Sequence, residues 1–209
     1  MNDKLYSLEI LSDKLKFDKN SIEKLHILHD ELIKYNLIYN LISKTTIEEI
    51  WSRHILDSAQ LIKFIDFRIN NQTLADLGTG AGFPGLVLAI FNKNPLFHVK
   101  LYEKSPVKVK FLNKIIDIAE IKSVEVCEGD FKNYDINSDY IVCRAFKKLD
   151  RIIEISREIA TKKHKLIVLK GKSAQEEVES SLKKSIFKYK LIDSITDKKS
   201  KIIFVDEHI

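Results

Sequence analysis

A short apolar run, Thr73-Leu74-Ala75-Asp76-Leu77, leads without a spacer into Gly78-Thr79-Gly80-Ala81-Gly82-Phe83-Pro84-Gly85. Four glycines fall within the eight residues 78–85, where a tight turn needs one or two. Stripping Cβ atoms from a whole loop lets backbone approach a ligand closely. Residues 86–91 are apolar on every face, so they form a helix packed on every face. Strand, glycine loop and buried helix make the first half of a βα unit with a ligand loop at the strand's carboxyl end.

The rest of the chain fits that beginning. Strands are expected over residues 97–102, 124–127, 140–143 and 166–169, alternating with helices over 106–119 and 149–160. Ser105-Pro106 starts the first of these helices, and Ser173 with Glu176 caps a further one. Residues 187–195 and 201–205 pair through Asp197-Lys198-Lys199 as a closing antiparallel hairpin. The fold class is therefore α/β, a Rossmann-like and mostly parallel sheet. Upstream, residues 1–66 contain helices only. Leu5, Leu8, Leu11 and Leu15 mark one. Asn20 with Glu23 caps a second, whose stripe is Leu25, Leu28, Leu32 and Tyr35. After a loop over residues 40–44, Thr46 with Glu49 caps a third. The expected division is a helical cap over residues 1–66 and a ligand-binding domain over residues 67–209.

Composition removes several alternatives. The 209 residues are 44 % apolar and 31 % charged, ordinary for a soluble globular chain and unlike a disordered or fibrous one. Two cysteines do not make a secreted disulfide scaffold. The charged N-terminus lacks a signal-peptide core, and no apolar run reaches the ~20 residues that span a bilayer. A cytoplasmic location and no membrane partner are expected. The net charge is +5, and lysines gather after residue 97, including Lys100, Lys104, Lys108 and Lys110. Dispersed solubilising charge would account for the total, but the gathering favours a polyanionic partner.

Two registers compete for the glycine loop. Gly80-x-Gly82-x-x-Gly85 satisfies the dinucleotide fingerprint, but Pro84 then occupies a helix start where a pyrophosphate needs free N–H groups. Asp76-x-Gly78-x-Gly80-x-Gly82 begins at the strand end itself, the pattern of S-adenosylmethionine-dependent methyltransferases. Two later positions favour it. Glu103 follows the second strand, where a carboxylate accepts from ribose hydroxyls. Gly129-Asp130-Phe131 follows the third, where Asp130 can accept from an adenine amino group and Phe131 can flank the ring. Cys143 ends the fourth strand but alternates inward with Ile141, so a buried thiol is expected rather than a nucleophile. His26 and His29, one helical turn apart, lack a third ligand, and no metal is expected.

Asn40-Leu41, Arg53-His54-Ile55-Leu56-Asp57-Ser58, Phe83-Pro84-Gly85, Arg144-Ala145-Phe146 and Leu169-Lys170-Gly171 occur in that order. Together they resemble the bacterial 16S ribosomal RNA guanine-N7 methyltransferase family, RsmG, over essentially the whole chain. The resemblance implies a class I methyltransferase fold, S-adenosyl-L-methionine as cofactor, and methylation of N7 of the guanine at position 527. It carries the family's cofactor contacts onto Gly78, Phe83, Asp130, Phe131 and Arg144. Two positions depart from the family pattern: Glu103 stands where aspartate is usual, and Val107 replaces a basic residue.

Guanine N7 has a lone pair and no proton, so no general base is named. The candidate catalytic residues are Arg144, able to fork onto guanine O6, a phosphate or the cofactor carboxylate, and Lys170 at the end of the fifth strand. Arg53, His54 and Lys170 are candidates for RNA contact. The expected partner is 16S rRNA or the small ribosomal subunit, with a monomer as the expected state. A non-catalytic S-adenosylmethionine- or RNA-binding module and a Rossmann-type oxidoreductase are the alternatives.

Overall fold

The computed structural model describes residues 3–144, 147–181 and 188–207. Ala145 and Phe146 of the family-like element, and the first residue of the expected hairpin, lie outside them.

The cap opens with α1 (Asp3–Glu9), which passes into a π-turn over Ile10–Lys14. That wider turn rotates the apolar face, so Leu11 and Leu15 are buried while Leu5 is exposed, unlike the continuous stripe expected. In α2 (Lys19–Tyr39) the stripe Leu25, Leu28 and Leu32 is fully buried; Tyr35 is only half-buried. The capping residue is Asp18, not Asn20: its carboxylate accepts from the Ser21 N–H at 2.8 Å. Asn40, in the left-handed conformation, stops the helix. The third helix is a mixed winding: a 3-10 segment (Lys44–Glu49), a π-turn (Trp51–Leu56), one turn of α3 (Asp57–Ala59) and a second 3-10 segment (Gln60–Phe64). Ser43 caps it rather than Thr46, whose hydroxyl donates back to the Ser43 carbonyl.

The sheet follows: β1 (Thr73–Leu77), α4 (Gly85–Phe91), β2 (His98–Glu103), α5 (Pro106–Ile118), β3 (Val124–Glu128) and β4 (Tyr140–Arg144). Then come α6 (Leu149–Ile159), β5 (His164–Lys170), α7 (Ala174–Ser181), β6 (Lys188–Asp193) and β7 (Lys201–Glu207). The strand order is β3-β2-β1-β4-β5-β7-β6, parallel except for β7, which is antiparallel to both β5 and β6. Ser173 turns its hydroxyl to Glu177 rather than to Glu176.

Alternation along the strands divides the core in two. Leu74, Val99, Leu101 and Val142 pack beneath α4 and α5 in one cluster that also takes in Leu25, Leu28, Trp51 and Ile55 of the cap. Ala75, Leu77, Ile141 and Val168 face α6 and α7 in the other. Cap and sheet therefore share a hydrophobic core. The chain leaves β1 towards β2 and β3 and returns to β4 on β1's other side, so the loop after β1 sits at the reversal, where such sheets take ligands.

Candidate active site

The glycine loop is a closed and pinned structure. Asp76, fully buried, accepts from the Gly85 N–H at 2.7 Å and so ties the strand to the start of α4. Burial pushes this carboxyl up to about 6. Gly78, Gly80 and Gly82 all have positive φ, but they serve different ends. A Cβ on Gly78 would meet nothing within 4 Å, and one on Gly80 only the Gly78 carbonyl at 4.0 Å. A Cβ on Gly82 would lie 2.8 Å from Leu86 Cβ. Two glycines thus leave open backbone, while the third lets α4 pack.

Glu103 holds the loop from the next strand. One carboxylate oxygen accepts from the Gly80 N–H at 2.9 Å and the other from the Ser105 N–H at 2.8 Å. From β3, the Gly129 N–H donates to the Glu103 carbonyl at 2.9 Å. Asp130 caps the short turn Phe131–Asn133 by accepting from the Lys132 N–H. Gly78, Glu103, Asp130 and Phe131 line one cavity of about 480 Å³, with Lys104 and Lys147 also on its wall. That volume is within the usual range for a small-molecule or cofactor pocket. The open glycine backbone and two carboxylates suit a ligand with hydroxyl and amino donors.

Arg144 ends β4 and is not part of this cavity's lining. Its guanidinium lies 5.2 Å from the centre of the Phe83 ring and donates to the Arg53 carbonyl at 3.0 Å. Among the described residues no carboxylate is within ion-pair distance, so most of its donors remain available. Burial lowers its pKa, with Asp57 and Asp76 acting against the shift. Phe83 is itself buried and forms the floor under Arg144. The His54 ring packs against the same phenyl at 5.1 Å, and its Nε2 bonds to the Thr46 hydroxyl at 2.9 Å. Burial, then Arg144 and Arg53, lowers His54 to about 3, so it is neutral at physiological pH. Arg53 is exposed and lies 3.3 Å from Glu49.

Lys170 differs most from the reading of the sequence. It is 7 % exposed, and its ammonium donates to the Lys147 carbonyl at 2.6 Å and pairs with Glu177 at 2.7 Å. The same Glu177 oxygen accepts from the Leu149 N–H at 2.7 Å. Lys170 thus fixes residues 147–149 from inside. Sequence reasoning missed Glu177, and it missed Asp57, which accepts from Thr196, Gln60 and Ser194 and holds the β6–β7 turn to the cap. Asp57 lies within the Arg-His-Ile-Leu-Asp-Ser run, which was the available signal. Cys143 is fully buried and burial raises its thiol pKa strongly. His26 and His29 pack on Trp51 at 4.8 and 5.3 Å.

Residues 21–208 match the family model GidB, rRNA small subunit methyltransferase G. The chain belongs to that family. A Ribosomal RNA small subunit methyltransferase G of Rickettsia bellii is 36 % identical over 186 residues, 89 % of this chain and 93 % of the relative. That of Orientia tsutsugamushi strain Ikeda is 33 % identical over 195 residues, covering 93 % and 95 %. Among solved structures, a SAM-dependent methyltransferase from Aquifex aeolicus superposes with a TM-score of 0.59 at 16 % identity, covering 82 % of this chain and 97 % of the other. A putative rRNA methylase from Clostridium thermocellum gives 0.53 at 14 % identity, covering 71 % and 92 %. These likenesses establish the fold, the class I methyltransferase sheet; membership of the methyltransferase G family establishes the class of enzyme. No described helix is long and apolar enough to cross a membrane.

Proposed function

We propose that this protein transfers a methyl group from S-adenosylmethionine to N7 of one guanine, position 527, in 16S rRNA of the small ribosomal subunit. The observation that carries the cofactor assignment is the meeting of the open backbone at Gly78 with Glu103 and Asp130 around one cavity, with the Gly80 N–H held by the same Glu103. The substrate assignment rests on family membership across residues 21–208. In this reading Gly78 and Gly80 receive the methionine portion. Glu103 keeps lone pairs for the ribose hydroxyls, and Asp130 with Phe131 takes the adenine. Gly82 and Phe83 support the site by packing.

When bound, the cofactor supplies the methyl group on a sulfonium centre. The chain's task is to bring guanine N7 into line with it, an alignment worth up to ~7–11 kcal/mol. N7 carries no proton and needs no base; the buried His54 is held neutral and already bonded to Thr46. Arg144 has donors left for guanine O6 or for the cofactor carboxylate, and its guanidinium is seated over the Phe83 ring. Cys143 takes no part: a fully buried thiol with a raised pKa is a poor nucleophile.

The test is methylation of unmodified 16S rRNA and 30S particles, with the product nucleoside identified by mass spectrometry. Strand cleavage by borohydride and aniline at the modified base, which requires the cationic N7-methyl ring, is expected. Cys143→Ser is expected to keep transfer. A product resistant to this cleavage, or complete loss in Cys143→Ser, overturns the assignment.

A further inference from the structure

Lys104, Lys108, Lys132 and Lys147 all line the cavity assigned above to the cofactor. Three of them are exposed and Lys108 is half-buried. Among the described residues, none of the four ammonium groups has an ion-pair or hydrogen-bond partner. Lysines elsewhere that reach a carboxylate pair with it. Lys93 pairs with Asp18, Lys100 with Glu125, Lys114 with Glu31 and Lys162 with Asp139. The carboxylates on the same cavity wall, Glu103 and Asp130, accept from backbone N–H groups rather than from these ammonium groups.

The cofactor does not account for this charge. S-adenosylmethionine carries a sulfonium and an ammonium against one carboxylate, so it is itself a net cation, and four lysines against the two carboxylates of the same cavity leave an excess of positive charge around it that is unfavourable until an anion arrives. Local structure argues the same way. Ser105 is the N-cap of α5 and Pro106 its first residue, so Lys108 sits in the first turn, where the helix dipole disfavours a cation. That turn contains no acidic residue. A lysine kept at the positive end of a helix, beside three others without partners, is a set of charges arranged for a bound polyanion.

We propose that Lys104, Lys108, Lys132 and Lys147 form the rim on which the phosphate backbone of the RNA substrate docks, bridging the mouth of the cofactor cavity. The rim spans the end of β2, the start of α5, the turn after β3 and the segment after β4. The RNA therefore crosses the carboxyl ends of β2, β1 and β4, delivering one base towards Arg144 while its flanking phosphates lie on the lysines. This mapping rests on the assignment of the cavity to S-adenosylmethionine and of the substrate to RNA. It differs from the contacts expected from the sequence, in which Arg53, His54 and Lys170 met the RNA. Of those three, His54 and Lys170 are buried and already bonded.

Salt dependence separates phosphate contacts from every other role. Binding of the intact protein to an unmodified 16S rRNA transcript is measured across a KCl series, and binding of S-adenosylhomocysteine by calorimetry. Lys108→Gln and Lys132→Gln are each expected to lower the slope of log K against log [KCl] by about 0.7–0.9, and the double variant by about twice that. Affinity for S-adenosylhomocysteine should stay within about twofold of wild type by the same reasoning, since no cofactor phosphate is being held. Lys93→Gln, which removes a paired lysine on another face, should leave the slope unchanged. Unaltered slopes in the double variant overturn the proposal, as does a loss of S-adenosylhomocysteine affinity with no change in slope. Wild-type protein that binds S-adenosylhomocysteine but no RNA overturns the rim while sparing the cofactor assignment. Wild-type protein that binds neither overturns both.

Discussion

At the scale of single residues, the glycines of the β1–α4 loop have separable duties. Gly80 has φ +64 with open space where a Cβ would stand, and its N–H is held by Glu103. The Cβ of an aspartate there meets only the Gly78 carbonyl at 4.0 Å, and its carboxylate is expected to enter the space proposed for the ligand beside Glu103. Gly80→Asp is therefore expected to keep its circular dichroism and lose at least about tenfold in S-adenosylhomocysteine affinity, about 1.4 kcal/mol or more. Gly82→Ala is the converse. Its Cβ lands 2.8 Å from Leu86 Cβ and 3.2 Å from a Leu112 methyl, at φ +96. Overpacking and left-handed strain together cost about 2–4 kcal/mol, so a clear fall in Tm is expected. Retained affinity in the first variant, or an unchanged Tm in the second, would reverse the two assignments.

At the scale of elements, Lys170 and Glu177 join β5, α7 and the start of α6. Side-chain exposure is 7 % for the lysine and 16 % for the glutamate, so the pair is largely desolvated. Removing one member strands a buried charge, which costs about 3–5 kcal/mol, whereas removing both is far less costly. Glu177→Ala is expected to lower Tm and to weaken S-adenosylhomocysteine binding, because Lys147, whose carbonyl the pair holds, lines the cavity. Adding Lys170→Met should recover much of the stability. Additive losses in the double variant would mean that the two residues act separately.

For the whole molecule, acid stability is set by opposed titrations in the shared core. His54 is lowered from 6.5 to about 3, by burial first and then by Arg144 and Arg53. The unfolded chain takes up this proton below 6.5 and the folded chain does not, so the stability is complete above 6.5 and is lost as pH falls towards 3. His164, lowered by burial, works in the same direction. Asp76 works against them. Raised from 3.8 to about 6 by burial, it favours the folded state at low pH, and that contribution is lost as pH rises through about 6. The histidine window is wider, so Tm should rise between pH 4 and 7. His54→Asn should flatten that rise and Asp76→Asn should steepen it. The same slope in all three proteins would mean that neither group controls acid unfolding.

Local pattern was enough for much of this. The glycine loop, the βα alternation, the closing hairpin and the apolar stripe of α2 depend on periodicities and turn residues within a few positions of one another. Gly78, Glu103 and Asp130 come to one cavity because each lies at the carboxyl end of its own strand, β1, β2 or β3, and parallel strands bring those ends to one edge. The caps were misread by two or three residues, since Asp18 and Ser43 compete with equally suitable neighbours. What tertiary structure alone decided is which charges are free. Lys170 looks like a phosphate ligand until Glu177 and the Lys147 carbonyl are brought to it. Arg144 finds its floor in Phe83 and its anchor in the carbonyl of Arg53, 91 residues away. Lys108 and Lys132 look like any other surface lysines until the fold sets them on one cavity with Lys104 and Lys147. Pairing and desolvation are properties of separations in space, and nothing in a residue's sequence neighbourhood encodes them.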